Sequence, residues 1–301
     1  MKKQRPSFKN DQETIPYLEE ARKYYLGKTI LDIAIAAAFG LVGLTLLISG
    51  PFFAEGRFTL LFGILGLALV ILIPVIFILK ARRRPRQFKM AVFSTLLLLY
   101  AFDAYDNFAF MYSLDEERVK KDFLVKEFKP IQEDATARYK GNIRKVTFTS
   151  FSYDYAYQGA QEKGRYIAFK LPVFVHSSVL VINKKDKGLF NIPEELKQST
   201  LLGNKLFDER FTVLAEDNNE ALSVINAQRI QGLCHLEEEL KCRLALYFTD
   251  NRCFIYLNDF KDSYHPSLLK SISQADLDGV KRVVHMIHHI YQELNLDYGN
   301  E

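Results

Sequence analysis

Two stretches decide the reading of this chain: ILDIAIAAAFGLVGLTLLISG at residues 30–50 and FTLLFGILGLALVILIPVIFIL at residues 58–79. The first holds one charge, Asp32, at its edge, and the second holds none. They are 21 and 22 residues long, and a helix needs about 20 residues to cross the hydrocarbon core of a bilayer. Lipid offers no partners to a bare backbone, so helices are the form such segments take there. Only Pro51–Arg57 separates them, which predicts a tight two-helix transmembrane hairpin over residues 29–80. Buried helices of a soluble protein seldom stay apolar all round for this length. A cleaved signal peptide is rejected, because its charged leader would span residues 1–29 and no small-residue cleavage site follows Ile48.

The flanks set the orientation. Seven Lys or Arg against four acids precede the first stretch; Lys80, Arg82, Arg83, Arg84, Arg86 and Lys89 follow the second. The connecting loop has Arg57 alone. Basic residues stay on the cytoplasmic side, so both termini are expected there. Tyr24, Tyr25, Phe52 and Phe53 suit the two interfaces. Gly40 and Gly43, with Gly63 and Gly66, allow close helix contact within the hairpin or between copies, so a homo-oligomer is one expectation. Pro74 predicts a local kink, and Asp32 is read as a solvated headgroup contact.

Composition narrows the partners. With 49% apolar and 25% charged residues, the chain is not disordered. Its mean hydropathy of -0.06 conceals the segregation of apolar sequence into the first third. The formal charge of +4 divides into +7 over residues 1–87 and -3 over residues 88–301. The basic balance therefore belongs to the membrane flanks, where it attracts anionic lipid headgroups; nucleic acid is not an expected partner. Three cysteines without paired spacing point to a reducing compartment.

Residues 81–112 read as a basic juxtamembrane segment with a third apolar run, Met90–Phe102, too short to span and ended by Asp103 and Asp106. It is expected as a helix on the membrane surface or inside the following domain. Residues 113–301 read as a cytoplasmic α+β domain of mostly antiparallel strands and packed helices. Ser113 and Glu116 have capping-box spacing for a helix to about Phe128. Phe151, Tyr153, Tyr155 and Tyr157 alternate along a strand, and Arg165–Leu171 and Val179–Ile182 are two more, with Leu189–Phe190 returning as a hairpin partner. A short helix is expected near Pro193, a strand at Phe211–Ala215 and a helix capped by Asp217 and Glu220. Gly232 is expected to break that helix. Leu244–Phe248 and Cys253–Leu257 read as a hairpin across Asp250–Asn251. Ser273 and Asp276 cap a last helix with the stripe Leu277, Val280, Val284, Ile287, Tyr291 and Leu294.

This order of features resembles a family of bacterial membrane proteins of unknown function, sometimes labelled galanin-like, whose genes often neighbour those of LemA-type proteins. The residues that carry the resemblance are the paired spans, Gly141–Phe151, GRYIAFKLPVF at 164–174 and FDERFTVLAEDNNEAL at 207–222. It implies a multi-pass protein of the bacterial inner membrane and a membrane-protein partner, a LemA-type protein among the candidates. It carries over no functional residue.

Chemistry is sparse. His285 and His289 stand i,i+4 on the last helix, with His288 between them, but no HExxH arrangement accompanies them and they read as a solvated face. Cys234, His235 and Cys242 lack knuckle spacing. Asp276, Asp278 and Gly279 resemble part of a calcium loop, but Gln274 and His285 would fill its first and twelfth positions. His176 with Ser177 and Ser178 has no nucleophile elbow, and phosphate- and dinucleotide-binding glycine loops are missing. No catalytic, cofactor or metal residue is assigned, and an enzyme is not expected; a metal-dependent one is the third reading. The surface candidate is Tyr153, Tyr155 and Tyr157, since tyrosines are enriched in interfaces, the competing reading being a half-buried sheet face. The function expected is a membrane-anchored interaction or scaffold module, with lipid or small-ligand binding, or lipid modification, as the alternative.

Overall fold

The computed structural model describes residues 11–53, 57–111, 123–130, 138–144, 146–196, 198–260 and 267–296. The fold is mixed α+β. Two compact units divide the chain: residues 1–96 with 264–278, and residues 97–263 with 279–301.

In the first unit α1 (Asp11–Phe53) is one helix, and α2 (Arg57–Leu67) passes through a π-helical turn (Ala68–Leu72) into α3 (Ile73–Ala104). Two helical stretches, Gln12–Ser49 and Leu60–Ala101, are long and apolar enough to cross a membrane. The π turn has a cause in Pro74, whose ring cannot face the carbonyl four residues back in a regular helix. Ile73 N donates instead to Ala68 O, five residues back, so the helix widens just before the proline. Pro85 lies inside α3 without ending it. Met90–Phe102 is therefore no separate helix but the C-terminal part of α3, with Val92, Leu96, Leu97 and Ala101 buried.

Small residues let α1 approach α2. A Cβ on Gly43 would lie 2.7 Å from Val70 N and 2.8 Å from Gly66 O, whereas Gly63 has nothing within 4 Å. Asp32 corrects the sequence reading. It is buried, not solvated, and accepts a 3.1 Å bond from Arg84 Nε, because α3 brings that arginine back beside α1. Residues 267–273 pack on the polar start of α1. Glu19 accepts from Arg22 Nε at 2.9 Å and from Ile272 N at 3.1 Å, and Arg22 Nη1 donates to Leu268 O at 2.9 Å. Asp276 Oδ2 then accepts from both Ser273 N and Ser273 Oγ at 2.8 Å, so the Asp276 carboxylate caps the start of the last helix, Gln274–Glu293.

The second unit is built on one antiparallel sheet. Its described strands are β1 (Asp106–Phe110), β2 (Phe128–Pro130), β3 (Arg138–Ile143), β4 (Val146–Tyr157), β5 (Ala160–Asn183), β6 (Gln198–Thr200), β7 (Phe211–Ala215) and β8 (Arg243–Asn258). The order is β1-β3-β4-β5-β7-β6, with β2 on β4 and β8 on β5. Gln158 and Gly159, both at positive φ, turn β4 back into β5 in two residues, so that Tyr157 pairs with Ala160. The helices are α4 (Lys205–Arg210), α5 (Asn218–Val224), α6 (Ala227–Leu240) and α7 (Gln274–Glu293).

Two predicted strands, at 165–171 and 179–182, are one 24-residue strand, β5, bulged between Lys170 and Val179. The predicted hairpin at 244–257 is likewise one strand, β8, which pairs along β5 and absorbs Asp250 at positive φ. β5 supplies the partner that a hairpin would have found in itself. Leu189 ends a 3-10 turn (Lys184–Leu189) and Phe190 bridges Val125, so these residues are no hairpin partner. Residues 193–196 are not helical; Asn204 caps α4 later, its Oδ1 accepting from Phe207 N at 3.1 Å. The expected helix from Ser113 lies mostly outside the described residues, and its described end, Phe123–Phe128, is not helical, with a turn at Lys126–Glu127 before β2. Phe211–Ala215, the Asp217 cap and the buried stripe of α7 follow the sequence expectation.

Both sheet faces are covered. On one, Phe151, Tyr153, Tyr155, Tyr166, Phe254 and Tyr256 form an aromatic core with Phe123 and Phe190. On the other, Phe169 meets Tyr291 of α7, and Tyr105 donates its hydroxyl to Val284 O. Gly232 sits inside α6 and does not break it. A Cβ there would run into the Glu293 carbonyl, with the carbonyl carbon 2.9 Å away, so glycine is what lets α6 lie against the end of α7. Arg229 fastens the same contact. Its buried guanidinium donates to Leu294 O at 2.9 Å, Asn295 O at 3.0 Å and Val224 O.

Candidate functional site

The tyrosine stripe points inward. Tyr153 and Tyr155 are 0% and 1% exposed, while Tyr157 is half-buried. Strand alternation was legible, but which face the sheet would cover was not. Their hydroxyls enter a polar chain at the end of the sheet. Tyr153 donates to Asn258 Oδ1 at 2.7 Å, and Asn258 Nδ2 donates to Asp186 Oδ2 at 2.8 Å. Arg243 Nε donates to Asp186 Oδ1 at 2.7 Å and Nη2 to Glu162 Oε2 at 2.7 Å. Tyr155 donates to that same Glu162 oxygen at 2.6 Å and accepts from Asp259 N at 2.9 Å. The Arg243 guanidinium also lies 5.1 Å above the Tyr157 ring, whose hydroxyl donates to Lys185 O at 2.5 Å. One arginine thus ties together β4, β5, β8 and the 3-10 turn that carries Asp186.

Above this chain opens a cleft of about 210 Å³ lined by Asn183, Lys185, Glu237, Lys241, Cys242 and Arg243, with Asp259 at its edge. Burial raises the Asp186 and Glu237 carboxyls, against the lowering pull of Asn258 and Arg243 on the first and Asn183 on the second. Burial opposes the charge on Arg243, yet its bonds to Glu162 and Asp186 hold the guanidinium above its ordinary range. Burial, with Glu237 and Asp259, pushes the Cys242 thiol up to about 12, so little thiolate forms at neutral pH and the cleft has no ready sulfur nucleophile. The charges here are matched to each other, which pins strand ends and presents a polar surface rather than an activated group.

The other candidates are scattered. Ser178 Oγ donates to Thr249 Oγ1 at 3.0 Å and His176 N to Glu220 Oε1 at 3.1 Å, giving no nucleophile and base pair. Cys234, Cys242 and Cys253 are buried as free thiols. Asp278 accepts from Gln274 Nε2 at 3.1 Å within the first turn of α7. His285 is exposed. His289, however, meets residues the sequence reading did not connect with it. Its Nε2 is 2.6 Å from Glu239 Oε2 of α6, and Glu293 Oε2 is 3.2 Å from His235 Nδ1. The signal was present as the same His-x₃-Glu spacing on each helix, at 235–239 and 289–293. Only the packing of α6 on α7 joins the pairs.

Residues 163–296 match a family model described as Protein of unknown function (DUF3137). The matched stretch takes in nearly all of β5, all of β8, α6 and α7, and with them Asp186, Arg243 and Asn258, but not β4. No curated protein matches the chain. Among solved structures, the crystal structure of the mycobacterial trehalose monomycolate transport factor A, TtfA, aligns with 67% of this chain and 95% of that chain, at 14% identity and a TM-score of 0.30. A likeness that loose assigns nothing to this chain.

Proposed function

We propose that this chain is an integral protein of the bacterial inner membrane, in which α1 and α2–α3 form a transmembrane hairpin and the sheet unit is a cytoplasmic interaction module that holds a membrane-protein partner. The observation that carries the reading is the outward face of the helices: Leu41, Leu60 and Ile64 are 66%, 68% and 63% exposed, and Ile30, Ile48, Ile71 and Leu72 are exposed with them. Each such side chain left in water forgoes about 1.5–3 kcal/mol of burial, whereas a bilayer solvates it. Three features agree with this. Gly43 and Gly66 allow the close backbone approach that membrane helices use. The intramembrane-edge acid, Asp32, is paired with Arg84. The basic run after the second apolar stretch supports a cytoplasmic location for that end.

For the partner face, Tyr157 with the guanidinium of Arg243 is the reachable end of the tyrosine stripe, and a LemA-type protein is the partner to test first. The experiment is affinity purification of the full-length protein from crosslinked native membranes with quantitative mass spectrometry, beside Tyr157→Ala. One stoichiometric partner whose capture falls in the variant is the expected result. Release of the chain from membranes by alkaline carbonate would overturn the anchor. Capture of no protein, with one lipid class enriched in the purified material, would replace the scaffold by the lipid-binding alternative.

A further inference from the structure

α6 and α7 each carry a histidine and a glutamate four residues apart on one face, and Gly232 and Arg229 bring those faces together. The ligand-capable atoms of His235, Glu239 and His289 all lie within 4.8 Å of one another. Glu293 stands beside the group, its carboxylate 3.2 Å from His235 Nδ1 and 4.0 Å from His289 Nδ1. The two imidazoles stand 6.1 Å apart, nearly perpendicular. We propose that His235, Glu239 and His289 form a binding site for a divalent transition-metal ion, with Zn²⁺ the ion their donors fit, which staples α6 to α7.

The donor set is the argument. Two imidazoles and one carboxylate, with a fourth position open to water, are a donor set suited to Zn²⁺, whereas Mg²⁺ and Ca²⁺ favour oxygen alone. Tetrahedral bonds of about 2.0–2.1 Å place ligand atoms about 3.3 Å apart. The three ligand atoms, now within 4.8 Å of one another, would draw in by at most about 1.5 Å to reach that spacing. Each histidine stands at hydrogen-bonding distance from a glutamate, His289 Nε2 from Glu239 Oε2 at 2.6 Å and His235 Nδ1 from Glu293 Oε2 at 3.2 Å. A cation bound by the group takes over the pairing of His289 with Glu239 and neutralises the Glu239 carboxylate, with Glu293 beside it. A solvated face explains His285, which is exposed and lies outside the group, but not two matched pairs that converge from helices separated by 33 residues of chain between Leu240 and Gln274.

The test uses the full-length protein in detergent, without a polyhistidine tag, stripped with chelator and titrated with Zn²⁺ against a chromophoric competitor. Co²⁺ substitution reads the geometry through its visible ligand-field bands. One equivalent is expected, with tetrahedral Co²⁺ absorption. Loss of a first ligand costs at least the tenfold to hundredfold seen when a metal's supporting residues are removed, so His235→Ala and His289→Ala should each weaken binding by at least about tenfold. Glu239→Gln should weaken it less than either histidine substitution, and His285→Ala should leave it unchanged. The histidines reach solvent, so these variants keep the fold, checked by near-ultraviolet circular dichroism. Absence of stoichiometric binding, or a loss in His285→Ala equal to that in His289→Ala, overturns the site.

Discussion

Gly164→Ala offers a sharp test of how the aromatic core is held. Gly164 pairs directly across from Tyr153. A Cβ at position 164 would lie 2.6 Å from Tyr153 Oη and 2.7 Å from its Cε2, and Tyr153 is fully enclosed, with Phe123 4.9 Å away edge-on. The ring has to move. Overpacking costs about 1–3 kcal/mol. Moving Oη off Asn258 leaves a buried amide oxygen without its donor, about 1–3 kcal/mol more. Replacing a strand glycine returns about 0.5–1 kcal/mol. The balance is about 3 kcal/mol of destabilisation, or roughly a hundredfold in the opening equilibrium. Hydrogen exchange with mass spectrometry on the full-length protein in detergent reads that as lost protection across the β4 and β5 amides. Tyr153→Leu removes the ring tip, and in that background Gly164→Ala should cost less than about 1 kcal/mol, a coupling a double-mutant cycle isolates. An equal cost in both backgrounds would refute the steric reasoning, as would wild-type protection in the single variant.

Three further outcomes follow from the geometry. Arg229→Met fills similar volume but strips donors from the carbonyls of Val224, Leu294 and Asn295. The expected loss is about 3 kcal/mol or more, read as a lowered thermal midpoint that Arg229→Lys does not restore, since an ammonium lacks the planar fork. Asp186 has a raised folded value, so the folded state holds its proton more tightly than the unfolded chain. Its contribution is therefore full below about pH 4 and is lost as pH rises through the folded value; thermal midpoints measured against pH should show a shallower decline in Asp186→Asn. Gly43→Val should weaken the α1–α2 contact by about 1–3 kcal/mol, seen as faster loss of helicity in denaturing detergent. Gly63→Val, in open space, should behave as wild type.

Several local signals in this sequence were faithful, while long-range ones were silent and overrode others. The length of the apolar stretches, the Asp276 cap at the start of the last helix, and the stripe from Leu277 to Leu294 each depend on neighbours within a few residues, and each is found in the structure. The merging of 165–171 with 179–182, and of 244–248 with 253–257, depends on two strands lying side by side. Asp250–Asn251 has the residues of a turn, but pairing with β5 outweighs that preference. Gly232 shows the same limit. A helix glycine reads as a break until a neighbouring carbonyl explains why no side chain fits. The site residues were hidden for this reason too: Asp186, Glu162 and Arg243 are scattered charges in the sequence, and His235 and His289 belong to different helices.

The length of β5 has a consequence for how the protein is made. One edge of the strand is taken by β4 soon after translation, through the Gln158–Gly159 turn. The opposite edge, from Gly164 to Ile182, waits for β8, and β8 begins only at Arg243. At about 5–20 residues per second, the roughly sixty intervening residues leave that edge bare for about 3–12 s on the ribosome. An unpaired apolar strand edge is a template for pairing with another nascent chain. A chain whose helices enter the bilayer first would spend that interval tethered, separated from its copies by the spacing of translation sites along the membrane. Moving the sheet unit off its helices would then lower the yield of soluble protein for a kinetic reason, even where the finished fold is equally stable.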